Sequence, residues 1–158
     1  MSPPSAHRHC SFSPQSTICS LQVSNQTRRI RYVALDPVDV SGFTAATVSA
    51  WTHIDSTGYE DKDAIRVWAE CSSGAAVDVV TGVLDDAAHP VGASGSSVTE
   101  NEWIPHIASL PSDCGTVTVK FGCQMNSNSE ECWFDMIEIV EAGGVRVASH
   151  SFHPCALR

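Results

Sequence analysis

The sequence predicts an all-β protein, an antiparallel β-sandwich carrying disulfides, and three observations lead there. Apolar residues recur at every second position in run after run, the period of a strand with one buried face. The runs are rich in Val, Ile, Thr and aromatic residues, and Gly, Ser, Asn and Pro separate them at short spacing. Helix signals are poor: only residues 99–110 (TENEWIPHIASL) offer one, and Pro105 interrupts it. Eight or nine short strands with polar turns between them suit a sandwich, with a jelly roll the preferred topology and an immunoglobulin-like arrangement the alternative.

Residues 1–16 are rich in Ser, Pro and His without periodicity, and are expected to form a flexible tail ahead of one sandwich domain over residues 17–158. In CSLQV, Cys19, Leu21 and Val23 alternate with polar residues. RRIRYVAL sets Ile30, Tyr32 and Ala34 opposite Arg29, Arg31 and Val33. TAATVSAWTHI reads as one long strand. DAIRVWAEC sets Ile65, Val67, Ala69 and Cys71 against Arg66, Trp68 and Glu70, and AAVDVVTGVL follows, closed by the loop GASGSS. TVTVKFGC opposes Val117, Val119, Phe121 and Cys123 to Thr116, Thr118 and Lys120. In CWFDMIEIV, strict alternation groups Trp133, Asp135, Ile137 and Ile139 on one face and Phe134, Met136, Glu138 and Val140 on the other. GVRVASHSF completes the set after a Gly143-Gly144 turn.

With 18 acidic residues against 9 Lys plus Arg, the net charge of −9 argues against nucleic acid or an anionic membrane as the main partner. No apolar run approaches the roughly 18 residues of a membrane span, so no membrane insertion is expected. The seven cysteines include no Cys-x-x-Cys pair, which disfavours a zinc ribbon or thioredoxin-like site. Cysteines dispersed at strand ends suit disulfides in an oxidising compartment, and Asn25 opens a glycosylation sequon. The expected location is therefore secreted or at the cell surface, within a larger glycoprotein. Cys123 and Cys132 bracket what reads as a hairpin and form one candidate pair; Cys71 and Cys114 form a second. The odd count leaves a thiol for self-assembly.

Two acids stand at the entrances of otherwise apolar rows: Asp63 before Ile65 and Val67, and Asp135 before Ile137 and Ile139. If the two strand ends adjoin, Glu60, Asp61, Asp63 and Asp135 offer hard oxygen ligands suited to calcium. Otherwise Glu60 and Asp61 are solvated turn residues and the two aspartates cap strand ends. Of the tryptophans, Trp68 shares its row with Arg66 and Glu70, opposite the apolar one. These three form the candidate ligand platform, because an aromatic face packs on a sugar ring while polar neighbours bond its hydroxyls. The terminal sequences HRHC and HSFHPC could assemble a zinc or copper site; a disulfide with exposed histidines is the simpler reading.

The succession Gly58-Tyr59-Glu60, Asp63, Ile65, Val67, then Trp103 and Leu110, then Val117, Val119 and Phe121, then Glu130, Asp135, Ile137 and Ile139 resembles extracellular jelly-roll modules. The kin are galactose-binding-like carbohydrate-binding modules and MAM-type adhesion domains. The resemblance implies a structural calcium held by Asp135 and by Asp63. No nucleophile elbow, phosphate loop or His-Glu-x-x-His occurs, and adjacent acids such as Asp85-Asp86 point apart along a strand. The expected function is thus non-catalytic recognition of a glycan or an extracellular protein. The alternative is a structural subunit of an extracellular fibre, sheath or appendage joined by intermolecular disulfides.

Overall fold

The computed structural model describes residues 31–55, 58–59, 62–84, 92, 95, 97–125, 130–142 and 146–150. The expected tail, Asn25 and, of the terminal His/Cys groups, His7, His9, Cys10, His153 and Cys155 lie outside them. Among the described residues nine strands run in order: β1 (Arg31–Ala34), β2 (Val38–Asp39), β3 (Ala46–Ile54), β4 (Asp63–Cys71), β5 (Ala76–Leu84), β6 (Ile104–Ser109), β7 (Thr116–Gln124), β8 (Cys132–Glu141) and β9 (Arg146–His150). Every strand pairing is antiparallel. The first sheet has the order β1-β7-β4-β5, with β2 also on β7; the second has the order β6-β3-β8-β9.

One apolar layer joins the two sheets. Ile65, Val67, Val117, Val119 and Phe121 enter it from the first sheet, and Val48, Ala50, Ile54, Phe134, Ile137 and Ile139 from the second. Phe121 and Phe134 meet in the middle with ring centroids 5.1 Å apart. Each is 0–1 % exposed and removes a large apolar area from water, about 2–3 kcal/mol per side chain. Two polar side chains are tolerated in that layer because they satisfy each other: Thr52 Oγ1 and His106 Nε2 are 2.8 Å apart. Gly92 lies against the other side of that ring. A Cβ there would stand 2.2 Å from His106 Nδ1, so only glycine allows this approach.

Residues 104–109, the stretch with the residual helix signal, form β6. Pro105 is accepted because β6 is an edge strand, where a missing N–H breaks no ladder. Both expected disulfides are present, Cys71–Cys114 and Cys123–Cys132. The second does not close a hairpin, however: β7 belongs to the first sheet and β8 to the second, so this bridge staples the two sheets together. Two disulfides in the described residues fit an oxidising compartment. Among the same residues no helix is long and apolar enough to cross a membrane.

Strict alternation fails in β8. Ser49 pairs with Glu138 but Trp51 pairs with Asp135, so β8 spends three residues where β3 spends two. This is a β-bulge, and Met136 occupies it with φ 46°, in the left-handed region. The bulge turns Phe134 and Ile137 both inward, 0 and 2 % exposed. Asp135 consequently leaves the row of Ile137 and Ile139 and joins the outer face.

Candidate functional site

On the outer face of the first sheet, register brings together the residues that alternation grouped. Trp68 stands opposite Lys120 and Arg66 opposite Gly122, with Tyr32 on the far side of Gly122. Arg66 pairs with Asp78 through Nε at 2.8 Å and Nη2 at 2.7 Å. Its guanidinium also lies 4.6 Å from the centre of the Trp68 ring. Trp68 Nε1 donates to Glu70 Oε1 at 2.9 Å, and Lys120 Nζ donates to Glu70 Oε2 at 2.6 Å. Lys120 leans over Tyr32, whose ring meets the Trp68 indole edge-on at 5.3 Å. The Lys120 hydrogen bond, then that from Trp68, holds the Glu70 carboxyl below its ordinary range.

Arg66, Trp68 and Glu70 therefore meet as the sequence suggests, but Trp68 is not an open platform. It is only 6 % exposed, covered by Arg66 and Tyr32. A ligand using Glu70 must displace two donors that already occupy both its oxygens. Each exposed pair contributes about 0–1 kcal/mol, and the lattice as a whole serves to seal the sheet surface.

The outer face of the second sheet differs. Its inward row in β3 is Ala46, Val48, Ala50, Thr52 and Ile54, so Thr47, Ser49, Trp51 and His53 face outward. Register sets His53 opposite Trp133 on β8, and Trp51 between Asp135 on β8 and Pro105 on β6. The His53 ring meets Trp133 at 4.8 Å, edge-on, and Trp103 at 5.3 Å, tilted. Three of the four tryptophans thus share one surface with His53. Trp103, Ile107 and Met136 are 37, 48 and 42 % exposed there. His53 Nδ1 is buried without a hydrogen-bond partner among the described residues. Asp135 adds the carboxylate, its Oδ1 accepting from the Met136 N–H at 2.7 Å.

Among the tryptophans the sequence singles out Trp68 alone as a ligand platform, and Trp51 and Trp103 receive no such role. The signal was present in β3, where the Val48, Ala50 and Ile54 row forces Trp51 and His53 to the other side. For Trp133 the decisive feature is the bulge, which alternation alone does not reveal.

Of the four acids expected to hold calcium, the structure describes Asp63 and Asp135, which stand on different sheets. Asp63 is fully buried at the start of β4 in the first sheet, and Asp135 lies on the outer face of the second. Glu60 and Asp61 lie outside the described residues. Near Asp63's end of the sandwich, Asp55 Oδ1 accepts from the Glu131 N–H at 3.0 Å, and Tyr59 Oη donates to the Asp55 carbonyl at 2.8 Å. Among the described residues no three His, Cys, Asp or Glu side chains are grouped to hold a metal. Neither protein-family models nor curated proteins give a match to this chain.

Proposed function

We propose that the protein is a non-catalytic extracellular binding module and that it recognises a glycan on the outer face of the second sheet. The observation that carries this reading is the clustering of Trp51, Trp103 and Trp133 with His53 on one sheet surface. Indole faces pack against the C–H faces of pyranose rings, while nearby polar groups bond hydroxyls. Ser49 and Asp135 stand beside Trp51 and supply such groups. An apolar patch of this kind on an otherwise acidic surface marks a place where something binds. The two disulfides support a secreted or surface location. The repeated crossing of the chain between sheets supports a jelly-roll reading of the sandwich.

A glycan array probed with the protein, with Trp51→Ala and with Trp68→Ala tests the reading. Binding is expected to vanish in Trp51→Ala and to persist in Trp68→Ala. Loss in Trp68→Ala alone, or capture of no glycan by the unaltered protein, overturns it. In the second case, covalent multimers that collapse on reduction would favour a structural subunit instead.

A further inference from the structure

The Asp135–Met136 bulge lets Phe134 and Ile137 both enter the core, and it also decides where Asp135 goes. A regular β8 would place Asp135 in the buried row with Ile137 and Ile139, where an unpaired carboxylate is very costly. The extra residue instead delivers the carboxylate to the aromatic face, beside Trp51. That placement has a cost, because Met136 adopts φ 46°, a region that L side chains seldom enter. Strain of this sort gathers at functional sites. Asp135 fixes its own position: Oδ1 accepts the Met136 N–H at 2.7 Å. Among the described residues Oδ2 accepts no hydrogen bond, and the ion pairs Arg66–Asp78 and Lys120–Glu70 lie on the first sheet. The outward positions of β3, β6 and β8 carry no Lys or Arg, and the one arginine in the strands of this sheet, Arg146 on β9, pairs with Val140 at the far end of β8 from Asp135. A net charge of −9 adds to the negative potential.

We infer that Asp135 is the charge-selecting residue of the aromatic face, favouring sugars that carry an ammonium group, accepting neutral sugars and repelling carboxylated ones. The inference rests on the glycan-binding reading of that face and sharpens it to a substrate class. Oδ2 accepts from an ammonium or hydroxyl of the bound ring, while the indoles hold the ring's apolar side. At about 4 Å, one unit charge pair is worth about fivefold in affinity even with full water screening.

The test is calorimetric titration with hexamers of β-1,4-linked glucosamine, of N-acetylglucosamine and of galacturonic acid, at a pH where the amine is protonated. The unaltered protein is expected to prefer glucosamine over N-acetylglucosamine by about fivefold and to bind galacturonate weakest, differences that shrink as salt is added. Asp135→Asn keeps an oxygen for the Met136 N–H, so the bulge stands, and its unfolding curve checks this. In that variant the three affinities are expected to converge to within about twofold. If Asp135→Asn keeps the original order while Trp51→Ala abolishes binding, the charge-selection inference falls and the glycan reading survives. If no hexamer binds the unaltered protein, the charge-selection inference falls and the array decides the glycan reading; if Trp51→Ala binds like the unaltered protein, both fall.

Discussion

Replacing Met136 probes the bulge on which the face depends. In a regular strand, Val is among the most favourable residues and Gly among the least, over a range of about 1 kcal/mol. At φ 46° the order should reverse. An L side chain in the left-handed region costs about 1–2 kcal/mol, and a β-branched one more, whereas glycine escapes that cost. Met136 is 42 % exposed, so little buried area is lost with its side chain. Against the relief, glycine gives up about 0.5–1 kcal/mol of chain entropy. Met136→Gly should therefore be as stable as the unaltered protein or up to about 1 kcal/mol more so, while Met136→Val loses about 1 kcal/mol or more. Urea unfolding reads this directly, because about 1–2 kcal/mol separates midpoints by roughly half to one molar at common slopes. A Val variant more stable than the Gly variant would refute the bulge, and with it the outward position of Asp135.

Trp68→Ala should cost about 3 kcal/mol of stability, since it removes an indole only 6 % exposed together with the seat of Arg66 and Tyr32. Near-native stability would show that the lattice on the first sheet does not pack as described. Burial holds the His106 imidazole below its ordinary 6.5, so the unfolded chain binds a proton that the folded chain resists. Stability is then full above about pH 6.5 and falls as pH drops from there toward the lowered folded value; His106→Gln should flatten that fall below about pH 6.5, and an unchanged slope in urea melts would contradict the assignment. Loop entropy ranks the disulfides. Removing Cys71–Cys114, separation 43, should cost about 4 kcal/mol, and removing Cys123–Cys132, separation 9, about 2.6 kcal/mol. The reverse order in paired Cys→Ser variants would show that the staple between sheets acts through native contacts instead.

Much of the fold was legible because buried strands obey a period of two. The rows Ile65, Val67, Ala69 and Val117, Val119, Phe121 face inward as alternation requires. Cysteine positions gave the right bridges but the wrong geometry, since sequence proximity of Cys123 and Cys132 suggests a hairpin while the chain passes between sheets. The weak point of periodicity is insertion. One added residue at Met136 exchanges the faces of everything on one side of it, and so Asp135 read as a core acid beside Asp63. Trp68 shows a different limit. Alternation assigned its face correctly, yet whether an outward indole is open or covered depends on neighbours from β1 and β7 that are distant in sequence.

The central claim is that the second sheet's aromatic face, and not the Trp68 lattice, is where the ligand sits. The four tryptophans allow one measurement to decide it: the indole N–H resonances followed by NMR during titration with a glycan hexamer. The account predicts that Trp51, Trp103 and Trp133 shift together while Trp68, tied to Glu70, stays in place. A titration that moves Trp68 and leaves the other three unchanged would contradict it.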